Sequence, residues 1–93
     1  MKTEITFKKS ALKDLRTCPR NIIDSLKTWI SYIERIGLAE TRKIPGYNDE
    51  ALSGKRKGQR SARLNKAYRV IYILSSKAEI EIVQIIKINK HKY

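Results

Sequence analysis

Cysteine and histidine are nearly missing from this chain of 93 residues. One cysteine, Cys18, cannot form an internal disulfide. One histidine, His91, beside a single cysteine cannot build a conventional Cys/His zinc site. Uninterrupted apolar runs are only a few residues long, far short of the roughly 20 that a spanning helix needs. Met1-Lys2-Thr3-Glu4 leads into no apolar signal-peptide core, so a cytoplasmic location is expected. There is no internal repeat and no low-complexity linker. Acidic residues are scarce, nine against 21 Lys and Arg, for a formal net charge of +12.

What is present suits a small folded unit. Forty-one per cent of residues are hydrophobic, which supports a packed core and argues against disorder. A chain of this length buries about 60–65% of the surface that it exposes when unfolded. One domain, residues 1–93, is expected.

The positive charge is concentrated. Residues 1–50 hold ten basic and seven acidic groups; residues 51–93 hold eleven and two. No acid lies between Ala51 and Ala78, where there are eight bases: Lys55, Arg56, Lys57, Arg60, Arg63, Lys66, Arg69 and Lys77. Such a density repels itself unless a partner neutralises it. A face kept charged for solubility would not need one sign in one half of the chain. A phosphate-binding surface fits better. The segment forms no basic amphipathic helix, which disfavours a membrane partner.

Thr3, Ile5 and Phe7 alternate with Lys2, Glu4 and Thr6, the period of a strand. Ser10–Arg16 reads as a short helix, broken at Cys18-Pro19. A second helix is expected from about Arg20 to Ile36. Ile22, Ile23, Leu26, Trp29, Ile30, Ile33 and Ile36 form its core stripe, and Gly37 is its stop. Residues 38–58 are irregular. Strands are expected at Gln59–Asn65, Tyr68–Leu74 and Glu79–Ile88. The order is β-α-α-β-β-β: an α+β fold, a mainly antiparallel four-stranded sheet with two helices on one face.

Register in the hairpin decides which residues meet. With an odd loop around Lys66, Ala62, Leu64, Tyr68, Val70, Tyr72 and Leu74 share an apolar face that covers the helices. Ser61, Arg63, Asn65, Arg69, Ile71 and Ile73 share the other, with Arg63 and Arg69 side by side. An even loop mixes the two sets, and a one-residue slip reverses a whole strand, so the odd loop is expected.

Three stretches carry a family resemblance: Glu50-Ala51-Leu52-Ser53-Gly54, then Gly58-Gln59-Arg60-Ser61-Ala62-Arg63-Leu64, then Tyr68-Arg69-Val70-Ile71-Tyr72. Ile5-Thr6-Phe7, Ala11, Asp14-Leu15 and the end Asn89-Lys90-His91-Lys92-Tyr93 extend it over nearly the whole chain. The sequence resembles the RelE/ParE superfamily of type II toxin–antitoxin toxins, nearest to the YoeB/RelE-type mRNA interferases. The resemblance implies a microbial-RNase-like fold. It also implies metal-independent cleavage of mRNA in the ribosomal A site, no cofactor, and a cognate antitoxin. By position, Glu50 matches the family's acidic general base, Arg63 and Arg69 its two arginines, and His91 and Tyr93 its His–Tyr end. Lys92 separates that last pair here. Ser53 stands where the family has a lysine, for which Lys55 or Lys57 would substitute.

Cleaving RNA without a metal needs a base for the 2′-hydroxyl, a holder for the phosphate's growing charge, and an acid for the leaving 5′-oxygen. Glu50 would be the base. Arg69, supported by Arg63, would grip the phosphate in a fork that lysine cannot copy. His91 or Tyr93 would be the acid. Lys55, Arg56, Lys57, Arg60 and Lys66 would bind the RNA backbone. Two other functions stay open on these residues: a ParE-like, non-enzymatic inhibitor of DNA gyrase, and a basic RNA- or ribosome-binding module without catalysis.

Overall fold

The computed structural model describes residues 2–90. Strand β1 (Lys2–Phe7) leads into helix α1 (Lys9–Leu15) and helix α2 (Arg20–Thr41). Strands β2 (Glu50–Ala51), β3 (Arg60–Arg63), β4 (Tyr68–Lys77) and β5 (Ile80–Lys90) follow. The sheet order is β1-β5-β4-β3-β2. Only the β1–β5 pairing is parallel; the other pairs are antiparallel. The expected β-α-α-β-β-β order therefore stands. The two-residue β2, too short to leave a period in the sequence, adds a fifth strand at the edge.

Helix α2 starts where Pro19 caps it and buries its predicted stripe. Ile22, Leu26, Trp29 and Ile33 are each 3% exposed or less. Trp29 meets Tyr72 of β4 at 5.3 Å between ring centroids. The helical path breaks at Gly37, whose φ of 83° and ψ of 160° lie in a region essentially reserved for glycine. One further turn carries Leu38 and Thr41 back into the core. Ile36, counted in the stripe, stays exposed beside this break.

The odd-loop register is the one adopted: Ala62 pairs with Val70, and Arg63 with Arg69. Ala62, Val70 and Tyr72 are fully buried beneath the helices. Leu74 does not reach that core. The hairpin is exposed from Leu74 to Glu79, and its apolar side there has no helix to cover it.

Strand β5 contains the irregularity on which the site depends. Ile71 pairs with Lys87 but Tyr72 pairs with Ile85, so Ile86 is an extra, bulged residue. Below the bulge Val83 and Ile85 face the helices; above it Ile88 does. Unbroken alternation would have sent Lys87 and Asn89 into the core. The bulge turns them to the open face instead.

Helix α1 completes the edge that β1 leaves bare beyond Ile85. Ser10 Oγ donates to the Ile86 carbonyl at 2.6 Å, and the Ile88 amide donates to Asp14 Oδ2 at 2.9 Å. Two side chains thus replace the ladder bonds of a missing strand. Nearby, Cys18 is half-buried against the core, and burial followed by the charge of Asp14 raises its thiol pKa. No described helix is long and apolar enough to cross a membrane.

Candidate functional site

Cross-strand partners share a face of the sheet, so the pairings define what the open face presents. One row runs Glu50, Ser61, Ile71, Lys87; the next runs Arg63, Arg69, Asn89. The chain after β2 folds back over this face. The Leu52 amide donates to the Gln59 carbonyl at 2.9 Å, and Arg56 Nη1 donates to Gln59 Oε1 at 2.8 Å. Leu52, Arg56, Arg69, Ile71, Lys87, Asn89 and Lys90 enclose a depression of about 600 Å³.

Its floor is apolar, from Leu52 and Ile71, and its walls are cationic. Glu50 is not part of the lining but stands beside it: its Oε1 lies 3.6 Å from Nη1 of Arg69, which does line the depression. The Arg69 side chain is 18% exposed and that of Glu50 53%. A pair this open to water is weak, so an anionic ligand can displace the carboxylate from the guanidinium. Asn89 Oδ1 is buried without a hydrogen-bond partner among the described residues. The arrangement can hold a phosphate on Arg69 with a carboxylate alongside and an apolar surface beneath.

The expected residues divide into groups. Glu50 and Arg69 come together as the sequence predicts. Arg63 is the cross-strand partner of Arg69, yet it is exposed and borders a second depression with Thr28, Tyr32, Ile44, Gly46, Tyr47 and Leu64. Arg56 lines the main depression, whereas Lys55 and Lys57 on either side of it are exposed. Lys66 is exposed in the loop joining β3 and β4. Arg60 is turned away: it pairs with Ala51 and Tyr72, on the helix side, and its guanidinium grips Asp49 at 2.7 and 2.8 Å. His91 and Tyr93 lie outside the described residues.

Sequence reasoning missed Lys87 and Asn89 as site residues, and Asp49 altogether. A signal for the first two exists in the doublet Ile85-Ile86. Apolar residues run 80, 82, then 83, 85, then 86, 88; the second change of parity coincides with the bulge, while the first, at Ile82-Val83, has regular pairing. Asp49 has no such signal, because its partners come from three distant parts of the chain.

The crystal structure of YafQ from E. coli superposes with a TM-score of 0.77 at 18% identity, covering 97% of this chain and 94% of that one. The chain has the fold of the RelE/ParE toxins. A YoeB/ParE toxin from Agrobacterium tumefaciens matches with a TM-score of 0.69 at 20% identity, over 99% of this chain and all of that one. YafQ in the E. coli DinJ–YafQ toxin–antitoxin complex gives 0.76 at 20% identity, over 98% and 94%. No protein-family profile and no curated protein matches the sequence. The expected fold class is thus reached from both directions, strand order and superposition.

Proposed function

We propose that this chain is the toxin of a type II toxin–antitoxin pair in the RelE/ParE superfamily, and that it cleaves mRNA at the ribosome. The observation that carries the proposal is the approach of Glu50 to Arg69 over a cationic depression with an apolar floor. Glu50 takes the proton of a 2′-hydroxyl. The freed oxygen attacks the adjacent phosphorus, and the bond to the 5′-oxygen breaks, leaving a 2′,3′-cyclic phosphate and a 5′-hydroxyl. Arg69 binds the non-bridging oxygens as their charge grows, which is where a fixed donor contributes most. Arg56, Lys87 and Lys90 neutralise neighbouring phosphates. His91 or Tyr93 protonates the leaving oxygen. Arg63, Lys55, Lys57 and Lys66 extend the contact with the RNA backbone.

The partner is an antitoxin whose acidic segment covers this basic surface. Similar folds support that assignment, being found in complexes of YafQ with DinJ and of Staphylococcus aureus YoeB with YefM.

The test is in vitro translation followed by primer extension. Wild type yields discrete cuts. Arg69→Ala and Glu50→Ala each lower cutting about 100- to 1000-fold. Arg69→Lys fails to restore it, because a point charge lacks the two-pronged geometry. Undiminished cutting by Arg69→Ala overturns the proposal. Inhibition of DNA supercoiling by a wild type that cuts nothing would assign the chain to the gyrase-directed class instead.

A further inference from the structure

Asp49 and Glu50 are consecutive residues whose side chains serve opposite sides of the sheet. We infer that Asp49 is a positioning residue for Glu50, acting through a buried ionic anchor. The inference rests on the nuclease reading of Glu50.

The anchor draws on three elements. Arg60 of β3 donates through Nε and Nη2 to Asp49 Oδ1, at 2.8 and 2.7 Å. Arg42, at the C-terminal end of α2, approaches the same oxygen at 3.7 Å. The Tyr72 hydroxyl of β4 donates to Oδ2. The carboxylate itself is 1% exposed. Asn48 just before it adopts the left-handed conformation, φ 43° and ψ 48°, which turns the chain out of the short 3₁₀ turn Pro45–Tyr47 and into the sheet. Asparagine tolerates that conformation better than most residues.

Glu50 has no comparable support of its own. Strand β2 contributes two paired residues, and the Glu50 side chain is half exposed. Its one ion pair among the described residues is the loose contact with Arg69. Asp49 directly precedes β2 and bonds to Arg60 and Tyr72, which share the helix side with Ala51, while Glu50 pairs with Ser61 on the open side; fixing Asp49 inward therefore aims Glu50 outward. The buried cluster therefore sets where the base stands relative to the phosphate held by Arg69. A displacement of about 1 Å at such a site can cost about 100-fold in rate.

A double-mutant cycle tests this. Asp49→Asn keeps the shape and one acceptor oxygen but loses the charge. It is expected to lower single-turnover cleavage about 100-fold, while binding of an uncleavable RNA with a 2′-deoxy residue at the cut stays within about two-fold of wild type. In a Glu50→Ala background the same change is expected to cost nothing further, since its effect passes through Glu50. Additive losses, or weakened RNA binding of the same size, would overturn the inference.

A second measurement does not depend on activity. The Leu52 amide, bonded to Gln59 just beyond β2, is expected to exchange with solvent about tenfold faster in Asp49→Asn. The Ile88 amide, bonded to Asp14, serves as the unchanged reference. If wild type cuts no RNA, the nuclease reading fails and the exchange experiment still decides on the anchor. Unchanged Leu52 exchange overturns it; faster exchange upholds it.

Discussion

The neighbouring acids Asp49 and Glu50 should differ sharply in what their removal costs. Asp49→Ala deletes a carboxylate that is 1% exposed and leaves the Arg60 and Arg42 guanidiniums and the Tyr72 hydroxyl without their acceptor. Breaking a buried pair by removing one partner costs about 3–5 kcal/mol, because the remaining charge stays desolvated and unpaired. Glu50→Ala deletes a carboxylate that is 53% exposed and 3.6 Å from its partner. At that separation an effective dielectric of about 20 would give nearly 5 kcal/mol of attraction. Water and side-chain entropy reduce exposed pairs to about 1 kcal/mol or less. The total stability of a domain this size is on the order of 5–15 kcal/mol, so the first change removes a large share and the second little. Urea unfolding measures both. The midpoint should fall steeply for Asp49→Ala and barely for Glu50→Ala, with slopes unchanged. In thermal unfolding, Asp49→Ala should lose well over 10 °C, at about 4–8 °C per kcal/mol. Equal losses for the two variants would refute the division between an inner structural carboxylate and an outer working one.

Two further outcomes follow from the backbone and from the buried hydroxyl. Gly37→Ala should cost about 1–3 kcal/mol in urea unfolding. An added Cβ would meet no atom within 4 Å, so the loss comes from the φ of 83° and not from a clash. Burial, then the hydrogen bond to Asp49 and its charge, raises the pKa of Tyr72 above its ordinary value. The folded chain thus keeps this proton where the unfolded chain loses it. Stability from this source is fully present below about pH 10 and declines as pH rises above it. Unfolding measured between neutral and alkaline pH should show the decline, and Tyr72→Phe should reduce it.

Much of this architecture was legible from spacing. The stripe on α2 has the helical period because one side of a helix must leave water, and Trp29 sits on it for that reason. The hairpin register was legible because a single choice of loop parity segregates Ala62, Val70 and Tyr72 from Arg63 and Arg69. The bulge was harder. It shows only as a change of parity at Ile85-Ile86, which the unbulged doublet Ile82-Val83 shares, and reading β5 as one uniform strand loses Lys87 and Asn89 from the site. Residue type misled in one case. Arg60 reads as part of a phosphate-binding run, but it lies on the helix side, where the nearest anion is Asp49.

Amino-acid order alone settled the surplus of positive charge and the helix and strand periods, and it favoured the pairing of Arg63 with Arg69. These are local or nearest-neighbour properties, written in the alternation of apolar and polar residues. Only the folded chain decided which cations face the depression, how Glu50 reaches Arg69, and that Asp49 is enclosed by Arg42, Arg60 and Tyr72. The contacts of Asp49 and Glu50 join residues up to 23 positions apart, and their strength depends on how much water the surrounding elements exclude. No one-dimensional pattern records that exclusion.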